Sequence, residues 1–238
     1  PSVSNAWTNL EVAKRWARLF PCRDQRNHDA RIAALAQNTD RLALLRQRLA
    51  DLSWFMRCVN EPLARAANGE DGCTGRFWEG RFKCQVLLDD AAVLSAMAYV
   101  DLNPIRAGMT TRLERSRHTS VRQRIQACHR DDQQLQQPLA PLIGVGPILP
   151  LNHGEYLALV HWTGQQVRPG KRGVIPQDAP LAITRTGIKP EHWPTQVKAV
   201  GSGYWRAIGS VEQLVAKAEA LGQRWLKGIG TARRLQHA

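Results

Sequence analysis

Between Leu42 and Leu63 the apolar residues Leu42, Leu45, Leu49, Leu52, Met56, Val59 and Leu63 follow one another at alternating steps of three and four. That spacing keeps side chains on one stripe of an α-helix, so this part of the chain must fold as helix and find a cover for the stripe. Asp40 can open the helix, and Pro62 predicts a bend or break near its far end, because proline has no N–H to offer Cys58 and its ring crowds the preceding turn. The stripe fits a coiled coil with another chain or a helix packed on its own domain. The surface positions lack regular complementary charges, which favours the second.

Upstream, Thr8-Asn9-Leu10-Glu11 has the form of a capping box, and Val12, Trp16, Leu19 and Phe20 recur at helical spacing up to Pro21. A weaker helical pattern covers residues 30–37. Downstream, residues 68–72 read as a turn. Phe82, Cys84, Val86 and Leu88 then alternate with Lys83, Gln85 and Leu87, the pattern of a strand with one buried face. Asp89 or Asp90 can cap a following helix whose apolar seam is Val93, Met97 and Val100. Tyr99 and Asn103, one turn apart, share an edge of that helix about 110° from the seam, and Pro104 brings it to an end. The small neighbours Ala92, Ser95 and Ala96 predict open space beside the tyrosine.

Lys and Arg number 33 against 20 Asp and Glu, a formal net charge of +13. The surplus points to a polyanionic partner, with nucleic acid leading. No apolar run is long enough to span a bilayer, and no charged-then-apolar leader opens the chain, so the expectation is a soluble, cytoplasmic protein without a membrane partner. Five cysteines at wide spacings, without a Cys-x-x-Cys pair, read as reduced thiols.

Residues 126–150 are polar, then contain Pro and Gly, and read as a linker between residues 1–125 and a basic helical domain over 151–238. In that domain Asn152 and Glu155 can cap a helix carrying Tyr156, Leu157, Val160 and Trp162 and ending at Gly164. Residues 168–180 read as a loop, with short helices near 179–186 and 190–200. Ser210-Val211-Glu212-Gln213 opens a last helix through Leu214, Leu221 and Trp225 toward Gly228. Lys171, Arg172, Arg224, Lys227, Arg233 and Arg234 could grip duplex DNA or a hairpin stem, and a helix-turn-helix is compatible with this region.

The segments Asp51-Leu52-Ser53-Trp54-Phe55-Met56-Arg57, Gly75-Arg76-Phe77-Trp78-Glu79-Gly80-Arg81-Phe82-Lys83 and Tyr99 through Gly108 stand in an order that resembles the single-tyrosine HUH transposases, and among them the REP-associated tyrosine transposases. The resemblance implies an α+β fold: the remnant of a small antiparallel-sheet core, predominantly helical in this chain. It also implies cleavage and rejoining of single-stranded hairpin DNA through a covalent phosphotyrosine. On it Tyr99 matches the nucleophile and Asn103 a polar ligand of a divalent metal, Mg²⁺ or Mn²⁺. The His-x-His pair that holds the metal in the family has no counterpart among the seven histidines, and its strand would fall before Pro1. The expected activity is therefore that of a transposase impaired in this form, with a non-catalytic hairpin-DNA-binding protein as the alternative. Arg76, Trp78, Arg81 and Lys83 mix cations with aromatic surface as a single strand requires, and Arg106 follows the turn after Tyr99 closely enough to meet a phosphate. Read without the resemblance, Tyr99 packs at a helix edge, Asn103 helps to end the helix, and Trp78 and Phe82 are core.

Overall fold

The computed structural model describes residues 2–22, 25–140, 150–167, 179–201 and 206–237, which form two compact units, Pro1–Phe82 and Lys83–Ala238. The first holds α1 (Ser2–Asn5), α2 (Asn9–Leu19), α3 (His28–Gln37), α4 (Thr39–Leu49) and α5 (Leu52–Glu70). Thr8 caps α2 as its sequence predicts, its hydroxyl accepting the Glu11 N–H at 3.2 Å. Val12, Ala13, Ile32, Leu42 and Leu45 close a small core, with Trp7, Trp16, Leu35 and Leu49 packed around it. The Arg46 guanidinium donates to the carbonyls of Ser4 and Trp7, tying α1 to α4.

The long apolar stripe is divided between two helices. Asp51 caps α5 by accepting the Trp54 N–H at 2.9 Å, so the break falls at Ala50–Asp51 and not near Pro62. Pro62 lies inside α5 without ending it; the helix forgoes one hydrogen bond there, while an aspartate side chain eleven residues earlier offers a helix start that separates α5 from α4. Nor does the whole stripe turn inward. Leu42 and Leu45 are buried, whereas Leu52, Val59 and Leu63 are each about half exposed, and α5 has no buried residue.

The second unit contains β1 (Val86–Leu87), α6 (Asp90–Asp101), α7 (Asn103–Arg106), α8 (Ser120–Arg130), α9 (His153–Val167), α10 (Leu181–Thr184), α11 (Trp193–Val200), β2 (Ala207–Ile208), α12 (Val211–Ala220) and α13 (Ile229–His237). The fold is mostly helical. Among the described residues the sheet is two-stranded and parallel, Val86 opposite Ala207 and Leu87 opposite Ile208, which corrects the expected antiparallel remnant. The strand foreseen over 82–88 shrinks to two residues because its partner is short and comes from far along the chain, where no local alternation can announce it.

Leu94, Ala98 and Leu102 around α6 share one buried core with Leu151, Tyr156, Leu159 and Val160 around α9 and with Trp193 and Val197 of α11. Residues on both sides of the expected 126–150 linker thus belong to one core. Within that stretch Gln126 to Arg130 complete α8 and Asp132–Gln136 form a 3₁₀ turn; residues 141–149 lie outside the described residues, as do Lys171 and Arg172.

The capping box of α9 is reciprocal: Glu155 N–H donates to Asn152 Oδ1 at 2.8 Å and Asn152 N–H to Glu155 Oε2 at 2.9 Å. The helix runs past Gly164 to Val167. A Cβ on Gly164 would lie 3.0 Å from Leu102 Cδ2, so this glycine admits the end of α6 rather than stopping α9. Ser210 caps α12 as expected, but α12 ends at Ala220, and residues 221–228 separate it from α13. That connection is longer than the roughly 3–4-residue turn of a helix-turn-helix.

Candidate nucleic-acid interface

Asp89 starts the helix that carries Tyr99. Its Oδ1 accepts the Ala92 N–H at 2.7 Å, and its Oδ2 accepts the N–H of Ser210, the N-cap of α12, at 2.6 Å. One carboxylate therefore joins the beginnings of two helices. The face of α6 that turns inward differs from the seam read from the sequence. Val93 is buried and Met97 packs against the core, but Val100 is 61% exposed, and the centre of the buried face is Leu94, Ala98 and Asp101. The helix is covered by both α9 and α11, so more than one stripe is buried. Ala92 closes a small core with Ala199 and Ile208, and Ser95, fully buried, donates to the Ala91 carbonyl of its own helix. These small side chains seat neighbouring elements closely; they do not leave open space beside Tyr99.

Tyr99 stands half-buried in the last turn of α6 and packs against the core. A Cβ on Gly201 would lie 2.6 Å from both its Cε2 and its hydroxyl oxygen, so the absence of a side chain at Gly201 is what seats the phenol. The Arg106 guanidinium lies 4.2 Å from the ring centre, a cation–π contact. Asn103 is exposed and opens α7, because α6 ends at Asp101 with Leu102 as its cap. Pro104 occupies the first turn of α7, where a missing N–H costs no helical bond. Tyr99 and Asn103 thus belong to successive helices rather than to one uninterrupted face, and the partner brought to the tyrosine is Arg106.

The other expected contacts are divided between the units. Arg76, Trp78 and Arg81 belong to the first and are exposed, Lys83 is the exposed first residue of the second, and Arg106 stands with Tyr99. Trp78 is 40% exposed; its indole N–H donates to the Asn60 carbonyl at 3.1 Å, and Phe77 meets its ring edge-on at 4.8 Å. The tryptophan is anchored to α5 with part of its surface open.

Tyr99 and Asn103 do not by themselves make a site for a divalent metal. Asn103 offers one neutral amide oxygen, and the described residues contain no group of three or more His, Cys, Asp or Glu side chains that could hold an ion.

Sequence reasoning passed over Gly201, whose role depends on a tertiary approach. It also treated Trp16 and Phe20 as parts of an apolar pattern and gave Trp54 only as part of the resemblance, although Trp16 and Phe20 stand four positions apart beside Arg15 and Arg18, a mixture of rings and cations that could have drawn attention to them. Comparison with protein-family models, with curated proteins and with solved structures finds no match. No helix among the described residues is long and apolar enough to cross a membrane.

Proposed function

We propose that the chain binds single-stranded hairpin DNA as a protein of the single-tyrosine HUH transposase kind, with a backbone phosphate received beside Tyr99 and Arg106. The observation that carries this reading is the guanidinium of Arg106, held 4.2 Å over the Tyr99 ring. Its Nη1 is buried and has no hydrogen-bond partner among the described residues. A buried donor without a partner is uncommon in a folded protein, and a guanidinium braced on an aromatic face retains the in-plane N–H groups that a phosphate accepts. The net charge of +13 supplies the longer-range attraction.

Strand cleavage is the further activity that the resemblance implies. The Tyr99 hydroxyl oxygen would form a bond to phosphorus while the bond to the departing 3′ oxygen breaks, the phenolic proton being lost and a 3′ hydroxyl formed. Hairpin binding is the part these residues support by themselves.

Titration of a labelled hairpin oligonucleotide with the wild type, Arg106→Ala and Tyr99→Phe tests the reading. Arg106→Ala should weaken binding several-fold and reduce the salt dependence by about one phosphate contact, and Tyr99→Phe should bind as the wild type does. Unchanged binding by Arg106→Ala overturns the proposal. A covalent adduct on a denaturing gel, lost in Tyr99→Phe, extends it to cleavage.

A further inference from the structure

We infer that the first unit carries its own track for a single strand of nucleic acid, made of two clefts on either side of the Trp16–Phe20 ring pair. The inference deepens the hairpin-binding reading, from which it takes the class of ligand, and assigns a second contact region to a different unit of the chain.

Trp16, on α2, and Phe20, the residue that caps its C-terminal end, lie four positions apart, with ring centres 4.5 Å apart and planes tilted by 35°. Both residues line both clefts. One cleft, of about 320 Å³, continues along α3 and the start of α4 and includes Arg31 and Arg41. The other, of about 470 Å³, is walled by Trp54, Arg57 and Arg65 of α5. Trp54 stands 6.0 Å from Trp16 between ring centres, and the guanidinium groups of Arg48 and Arg57 lie 4.3 and 5.1 Å from its own ring.

Aromatic rings beside guanidinium planes are the surface on which bases stack, and arginines at the rim supply the phosphate contacts. Four arginines line the two clefts, against Glu61 as the one acidic side chain among the described lining residues. Arg57 and Arg65 both pair with Glu61, and their hydrogen bonding and charge hold its carboxyl below the usual range. Glu61 thus stays ionised and spaces the two arginines along α5. The balance of charge favours a polyanion with flat apolar bases over an apolar protein segment. A protein partner would sooner meet the aliphatic stripe of Leu52, Val59 and Leu63, which does not line either cleft.

The test is fluorescence anisotropy of the full chain with a labelled single-stranded oligonucleotide and with an abasic strand of the same length. The wild type should bind the base-containing strand about ten-fold more tightly than the abasic one, as expected for stacking of a base or two. Phe20→Ala, at a surface position beyond the end of α2, should remove most of that preference. Arg31→Ala with Arg57→Ala, which leaves every ring in place, should weaken both strands and lower the salt slope by about 1.4. Equal affinity for the two strands, or an unaltered preference in Phe20→Ala, overturns the inference. So does self-association of the chain that the paired arginine substitution abolishes, since the clefts would then receive a second copy. Arg106→Ala separates the two readings: a base preference lost in Phe20→Ala together with hairpin affinity unchanged in Arg106→Ala leaves the track standing without the Tyr99 site, and hairpin affinity weakened in Arg106→Ala with the preference intact in Phe20→Ala leaves the Tyr99 site without the track.

Discussion

The hydroxyl of Tyr156 donates a 2.7 Å hydrogen bond to Asp101 Oδ2 in the interior of the second unit. The same carboxylate accepts from Ser120 Oγ at 2.9 and 3.0 Å and from the Val121 N–H at 3.1 Å. Thr119, the N-cap of α8, makes no side-chain capping bond, so Asp101 at the end of α6 serves as the cap for α8 from a distance. Three donors, the Ser120 hydroxyl lying within reach of both carboxylate oxygens, explain how a carboxylate only 1% exposed remains tolerable in this core.

Removing either partner should therefore have unequal costs. Tyr156→Phe leaves Asp101 with its other donors and should cost about 1–2 kcal/mol, whereas Asp101→Ala strands the Tyr156 hydroxyl and the Val121 N–H and should cost about 3 kcal/mol or more. Urea denaturation of the two variants checks the order; equal losses would mean that the carboxylate is not the hub of the network.

Stability of the second unit should decline on both sides of neutrality. Burial, and then the charge of Arg124, lowers the pKa of His153, whose Nδ1 has no hydrogen-bond partner among the described residues. The unfolded chain therefore takes up a proton near pH 6.5 that the folded chain resists, and the contribution present above that pH is lost as pH falls. Tyr156 behaves oppositely: burial, then Asp101, raises the pKa of its hydroxyl. Its contribution is full below the unfolded value near pH 10 and declines as pH rises beyond it. Chemical denaturation across pH should show both slopes, the acid one flattened in His153→Gln and the alkaline one in Tyr156→Phe.

Gly201 has a φ of −83°, so alanine there meets no backbone strain. Its Cβ would nevertheless lie 2.6 Å from the Tyr99 hydroxyl oxygen, and Gly201→Ala should cost about 1–3 kcal/mol through overpacking. Combined with Tyr99→Ala, most of that penalty should vanish in a double-mutant cycle. An additive result would show that the ring does not sit against this glycine.

Trp193, fully buried, donates its indole N–H to Thr163 Oγ1 at 2.9 Å. Thr163→Val keeps the shape and removes the acceptor, so it should cost about 1–3 kcal/mol. The loss should be visible in thermal denaturation followed by tryptophan fluorescence, and Thr163→Ser, which retains the oxygen, should recover much of it.

Much of the candidate Tyr99 site was legible in the residues themselves. An aspartate before α6, a tyrosine in its last turn and an arginine one short helix later are local facts, and Arg106 does reach the tyrosine ring. The seat of that ring was not legible, because Gly201 comes about a hundred residues later and its glycine has meaning only against Tyr99.

The sequence by itself determined the helix starts at Thr8, Asn152 and Ser210 and narrowed a fourth to Asp89 or Asp90, because a capping side chain and the N–H it accepts lie within one turn of each other. Tertiary structure decided what local pattern cannot carry. It left α5, which the local cap at Asp51 and not Pro62 separates from α4, without a buried residue. It also paired Val86 with Ala207 in parallel and brought α6, α9 and α11 around one core. Those outcomes depend on packing between residues far apart in the chain, whose free energy is gained when the elements meet and has no signature in the spacing of neighbours.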